Sequence, residues 1–257
     1  MIYAGAHLAR RIEAAEAANA RGCAPSHREV LEVAGGCAVF AGADSPLTQA
    51  VGMGLAGPVR EDEIVQLEDF FGGRGAPVTV DLCPLADPSL VEALAARGYR
   101  VTEFNNVLVK YLAGTEIALT PRVRRAMAQE IDCWSHTVGR GFFEEADLTT
   151  AEMDVGRAIF AMPGAFCYVA ANALGQQAGG GAMAIYDRAA LLFADSTIAG
   201  FRRQGLQNEL IAARLNEAIA QGCDIAAAST QPGSGSQRNY ERRGFQVVYT
   251  KVTMVRG

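Results

Sequence analysis

Two stretches of this chain, 146 residues apart, read as the same piece of structure written twice. In the first, "EDEIVQLEDFF" (61–71) carries Ile64, Leu67 and Phe71 at helical spacing. A strand "APVTVDL" (76–82), a turn "CPLADP" (83–88), a short helix "SLVEALAAR" (89–97) and a long strand "YRVTEFNNVLVKYL" (99–112) follow. In the second, a helix over 204–221 is followed by an apolar strand "CDIAAAS" (223–229) of the kind buried on both faces. A turn-rich loop "TQPGSGS" (230–236), a short helix "QRNYERR" (237–243) and a strand "FQVVYTKVTMV" (245–255) complete it. Gly98-Tyr99 and Gly244-Phe245 occupy matching places. A period this long with a repeated element order means duplication of a whole domain, not a solenoid. The boundary is expected near Gly114, giving domains at 1–113 and 114–257.

Upstream of the second copy, "TPRVRRAMAQEIDCWSHTVGRGFF" (120–143) reads as helix and loop. Two strands, 165–174 and 176–187, meet at a turn on Gly175, and "ALLFADSTI" (190–198) is a further strand. Helices, an antiparallel hairpin, then strands alternating with helices predict an α+β class with a mixed, mostly antiparallel sheet in each domain. The chain's 257 residues, half of them hydrophobic, are enough for two modest cores.

The net charge of −5 argues against a nucleic-acid binder, although basic residues cluster at 121–125, 202–203 and 238–243. No apolar run is long enough to span a membrane. The N-terminus shows no leader pattern. Six cysteines (23, 37, 83, 133, 167, 223) form no CxxC pair and match no zinc spacing, so no metal is expected. They read as free, mostly buried thiols of a cytoplasmic protein.

The chemistry concentrates in "AGFRRQGLQNELIAARL" (199–215). A strand ends near Ile198, a tight loop carries Arg202 and Arg203, and Gly205 opens a helix. Unpaired N–H groups and the positive dipole end at a helix start, joined by arginine, form an anion site, and Gly205 would let a phosphate approach. A solvated basic loop is the competing reading of the same residues. "GGRG" (72–75) reads as a loop, and "GGG" (179–181) as a bulge or turn. "SGSQR" (234–238) has no nucleophile elbow.

"RRQGLQ" (202–207) resembles the (Gln/Arg)-x-x-Gly-x-(Gly/Ala) signature of GNAT-type (GCN5-related) N-acetyltransferases, with Arg202 and Gly205 matching and Gln207 replacing the small residue. "NYERRGF" (239–245) resembles that family's later signature. The resemblance covers 165–257 well and 115–165 loosely, and makes the first copy a degenerate lobe of a tandem form. "GLAGPVREDE" (54–63) stands there in place of an Arg-x-x-Gly loop, with acidic residues that repel phosphate.

The resemblance implies transfer of an acetyl group from acetyl-CoA, as co-substrate, to a primary amine of a small molecule or peptide by direct attack. It implies coenzyme binding by Ser196, Thr197, Ile198, Arg202, Arg203, Gln204, Gly205, Leu206, Gln207 and Asn208. Tyr240 would protonate the departing thiolate. Asp195, or else Glu144 or Glu145, would take the acceptor's proton. Each of these carboxylates could equally be solvated or clamp a substrate ammonium. Trp134, Phe142 and Phe143 would line the acceptor pocket or pack in the core. The first domain would shape the acceptor side or serve as an interface, a homodimer included. A CoA-binding sensory module without catalysis, or a structural tandem domain with a vestigial loop, are the alternatives.

Overall fold

The computed structural model describes residues 5–112 and 121–257. Gly114, the expected boundary, lies outside the described residues. The chain divides into two compact units, one of residues 1–107 with 247–257, the other of residues 108–246. Among the described residues no helix is long and apolar enough to cross a membrane.

Unit 1 contains α1 (Ala6–Cys23), β1 (Val30–Val33), β2 (Gly36–Val39), β3 (Gln49–Val51), α2 (Glu61–Gly72), β4 (Val78–Leu82) and α3 (Pro88–Ala96). It also holds most of β5 (Arg100–Tyr111) and of β11 (Gln246–Arg256). Strands β1, β2 and β3 pair antiparallel, and β3 then pairs parallel with β4. Alternate residues of β2 serve opposite faces, as a period of two requires. Cys37 and Val39 join Ala17 of α1, while Ala38 joins the core of α2 and α3.

The strand beside β4 is β11, with Val252 opposite Leu82 and Arg256 opposite Val78. The sequence attaches β11 to the second copy, whereas residues 247–257 group with unit 1. The physical reason is a buried charge. Lys251 of β11 is almost fully buried, with its Nζ 3.1 Å from Glu13 and 2.6 Å from Asp81. The Tyr249 hydroxyl donates to Glu13 at 2.8 Å. An ammonium can be buried only where carboxylates await it, and both lie in unit 1.

Unit 2 contains β6 (Val123–Arg125), α4 (Ile131–Phe143), α5 (Thr150–Ala161), β7 (Phe166–Ala171), β8 (Gln177–Tyr186), β9 (Ala189–Thr197), α6 (Leu206–Ala220), β10 (Ile225–Thr230) and α7 (Gly235–Arg242). Strands β6 to β9 are antiparallel neighbours and β9 pairs parallel with β10. The pairing series of unit 1 is thus repeated, as a duplicated domain requires. The end of β5 lies beside β10, where the Leu112 N–H donates to Asp224. The hairpin turn at Gly175 (φ 77°) is held by the Asn172 side chain, which accepts from the N–H groups of Leu174 and Gln176. Helices α4 and α6 cover opposite faces. A side chain at Gly180 would meet Val138 of α4, and one at Gly181 would meet Arg214 of α6.

The expected thiols are free, five of them buried and Cys133 exposed. The structure adds the elements before residue 60, and α5, to those the sequence predicts.

Candidate functional site

The site is built on an irregularity in β9. Gly180 lies opposite Ser196 and Ala182 opposite Phe193, so Gly181 alone faces both Ala194 and Asp195. That extra residue is a β-bulge, and Ala194 takes a left-handed φ of 54° to make it. The ladder between β9 and β10 is confined to Ala189–Leu191 opposite Ile225–Ala227, and the last third of β9 runs on without it.

The glycine run sits across from this bulge, inside β8 and not in a turn. A Cβ at Gly179 would lie 2.6 Å from the Ser196 carbonyl, at Gly180 2.7 Å from Val138, and at Gly181 2.9 Å from the Arg214 guanidinium. All three positions are therefore closed to a side chain by close packing.

After β9, a single 3-10 turn (Ala199–Phe201) leads to Arg202 and Arg203, the latter at φ 67°. Gly205 caps α6 at φ 82° without a side-chain cap. Its Cβ position is open, so the backbone angle, more than room for a ligand, demands glycine. The first N–H groups of α6 have no intrahelical partner. Arg202 spans this loop, donating to the Thr197 carbonyl (3.1 Å) and the Gly141 carbonyl (3.1 Å) and pairing with Glu144 (2.7 Å). From behind, Arg122 donates to the Gln204 carbonyl at 3.2 Å and holds Glu209.

A cavity of about 930 Å³ opens on these groups. Of the residues the sequence assigns to coenzyme binding, Ser196, Thr197, Arg202, Arg203, Gly205, Leu206, Gln207 and Asn208 line it, whereas Ile198 and Gln204 do not. The Ile198 N–H is spent on Ala178. The Ser196 hydroxyl donates to the Val138 carbonyl at 2.7 Å.

The opposite wall is α7, which contributes Ser236, Arg238, Asn239 and Arg242. The Gln207 side chain crosses toward it. It donates to Ser236 at 2.8 Å and accepts from Asn239 at 2.7 Å, while Asn208 donates to the Asn239 oxygen at 3.0 Å. Four arginines (202, 203, 238, 242) thus face two carboxylates, Glu144 and Asp195. Opposed like this, the lining favours a polyanion. Sequence reasoning missed Arg122, Gly141 and the α7 face. Only the last had a signal, in the spacing of 235, 238, 239 and 242 along one side of a helix.

Asp195, which lines the cavity, and Tyr240 are joined to each other. The Asp195 carboxylate accepts from Arg214 through both oxygens and from the Tyr240 hydroxyl. Tyr240 is almost fully buried, packs edge-on against Phe245 (4.9 Å between ring centres) and does not line the cavity. Burial, then the charge of Asp195, pushes its phenol well above the usual tyrosine range. Trp134 is a core residue whose indole donates to the Tyr168 carbonyl at 2.9 Å. Phe142 is exposed at the cavity rim, and Phe143 and Glu145 lie outside the lining.

Known structures share this architecture over the whole chain. A GCN5-related N-acetyltransferase from Kribbella flavida superposes with a TM-score of 0.69 at 18% identity, covering 99% of this chain and 96% of that one. A tandem GNAT protein from the clavulanic acid biosynthesis pathway gives 0.61 at 14% identity, over 98% and 94%. A putative GNAT-family acetyltransferase from Novosphingobium aromaticivorans gives 0.56 at 14%, over 93% and 95%. In sequence, neither a protein-family model nor a curated protein matches the chain. The likeness is one of fold, and the fold is the tandem GNAT fold.

Proposed function

From the tandem GNAT fold as premise, we propose that unit 2 binds one acetyl-CoA and transfers its acetyl group to a primary amine of a small molecule or peptide. The observation that carries the reading is the arginine-lined cavity at the open start of α6, beside the part of β9 that has left the ladder with β10. The pyrophosphate would sit on the N–H groups that follow Gly205, with Arg202 and Arg203 supplying charge-assisted hydrogen bonds. The pantetheine arm would run along Asp195–Thr197, using backbone groups that β10 does not take.

Transfer proceeds by direct attack. The amine nitrogen forms a bond to the thioester carbonyl carbon, the C–S bond breaks, and the thiolate leaves with one proton while the new amide loses another. Among the described residues no cysteine lines the cavity, which supports a route without an acyl-enzyme. Asp195 and Tyr240 are engaged with each other and with Arg214. The acceptor's proton therefore goes to Glu144 at the rim or to water, and the thiolate takes its proton from water or the substrate.

The same engagement favours a second reading, a CoA-binding module without catalysis. Titration with acetyl-CoA should raise the melting temperature, since ligand that binds the native state stabilises it. Incubation with an amine library should then release CoA thiol. A melting shift without thiol release from any amine would select the second reading. Tyr240→Phe separates the roles of the phenol. Loss of a proton donor would lower turnover about 10²–10⁴-fold. The observed geometry instead predicts turnover within about threefold of native.

A further inference from the structure

Arg214, on the buried side of α6, is fully enclosed. A buried guanidinium persists only when its donors are satisfied and its charge is met. Here Nε donates to the Leu210 carbonyl (3.1 Å) in its own helix. Nη1 donates to the carbonyls of Ala182 (2.9 Å) and Phe193 (3.3 Å), and Nη1 and Nη2 hold the two oxygens of Asp195. Burial works against its charge, and Asp195 with Tyr240 more than offsets that. Ala182 and Phe193 are the pair at which the β8–β9 register shifts, and Asp195 is one of the two residues that face Gly181. Apart from its contact with Tyr240, the tertiary bonds of this arginine end on the bulge, and Gly181 makes the space its guanidinium fills.

The bulge decides which way the rest of β9 points. The Ile198 N–H goes to Ala178 of β8, so period-two alternation turns the backbone groups of Thr197 and Asp195 toward the side β10 has left. The Thr197 carbonyl does meet Arg202 there. Without the extra residue the alternation after Phe193 would invert. The Asp195 side chain would then face α4, and the backbone facing the cavity would belong to the wrong residues.

We propose that Arg214 is a positioning residue that pins the β9 bulge and thereby presents the backbone of Asp195 and Thr197 to the coenzyme, with Asp195 and Tyr240 as its fixed partners. This rests on the acetyl-CoA reading of the cavity for its ligand, though not for its geometry. Two variants test it. Arg214→Met with Asp195→Asn removes both buried charges together, a replacement buried ion pairs usually tolerate without unfolding. Arg214→Lys keeps a charge for Asp195 but loses the planar fork that reaches both carbonyls at once.

Three quantities are read: melting temperature, amide hydrogen exchange across 193–197, and affinity for acetyl-CoA. Pinning predicts a folded double variant with exchange across 193–197 at least tenfold faster and coenzyme affinity at least tenfold weaker, and a smaller change of the same kind in Arg214→Lys. A core ion pair with no positioning role predicts native exchange and affinity wherever folding survives, and that result overturns the proposal. Should the double variant fail to fold, Arg214→Lys decides on the same readouts. Native protein that does not bind acetyl-CoA removes the acetyl-CoA reading, while exchange at 193–197 still judges Arg214.

Discussion

The starts of α2 and α6 occupy equivalent places in the two units, each opening the helix between a strand and its parallel partner. They differ in what satisfies their free N–H groups. At α2 the first turn is Glu61-Asp62-Glu63. The Glu63 carboxylate accepts from the N–H of Arg60 (2.9 Å) and of Ala34 (3.2 Å), and Asp62 holds the Arg60 guanidinium at 3.0 Å. The Arg60 cap N–H is thus met by Glu63, three acidic side chains surround the first turn, and the arginine is spent. At α6 the cap is a bare glycine, and the one acidic side chain of the first turn, Glu209, is held by Arg122. The equivalent helix start follows an extended Arg60 cap and is ringed by its own acidic side chains in one unit, and follows a left-handed Gly205 cap beside Arg202 and Arg203 in the other. The acidic first turn and the cap residue, not the order of elements, distinguish them.

The contrast is most exposed to test at Gly205. A β-branched residue cannot hold φ 82° without strain, so Gly205→Val should redirect the loop and weaken acetyl-CoA binding on the order of 100-fold, with the chain still folded. Calorimetry should find one site per chain in the native protein and that site correspondingly weakened in this variant. Two equivalent native sites would erase the contrast.

Arg202→Ala removes charge assistance worth about 1–3 kcal/mol, hence roughly 5- to 150-fold in coenzyme affinity. Arg60→Ala, its counterpart at α2, should leave that affinity unchanged. Equal losses in the two variants, measured by the same titration, would show that the arginines act through net charge alone.

A third test bears on unit 1, whose buried polar cluster binds its own groups. Burial raises the Glu16 carboxyl from 4.5 to about 7, against the lowering pull of Lys251. A carboxyl raised on folding is protonated in both states below 4.5. It loses stability for the fold as pH climbs from there to about 7, and adds no further slope above. Glu16→Gln should remove that slope, so its melting temperature relative to native should rise from pH 4.5 to 7 and then level off. A difference independent of pH would mean that Glu16 ionises as freely in the fold as outside it.

The smallest effect is expected at Glu144, which competes for Arg202 across an exposed ion pair. Such pairs are weak, so Glu144→Gln should tighten acetyl-CoA binding by about two- to fivefold. Weaker binding would mean that the carboxylate orders the loop more than it competes.

Much of this molecule is local and therefore legible in the chain. The helices 61–71 and 204–221 follow from apolar spacing, and the strands 76–82, 99–112 and 245–255 from β-branched and aromatic runs between glycines. The arginine loop before α6 follows from Arg202, Arg203 and Gly205 lying between a strand and a helix. The glycine run 179–181 signalled an irregularity, but its cause, close approach of Val138, Arg214 and the backbone of β9, belongs to other segments.

The order of elements, the duplication and the arginine loop that opens α6 were determined by the sequence alone, because each depends on residues within a few turns of one another. Only the tertiary structure decided that β11 completes unit 1, because Lys251 must find Glu13 and Asp81, 238 and 170 positions earlier. Only it decided that Asp195 and Tyr240 meet each other and Arg214, where a sequence motif suggested an acid and a base. A buried charge or hydroxyl takes the partner that packing brings to it, and no local pattern records which partner that is.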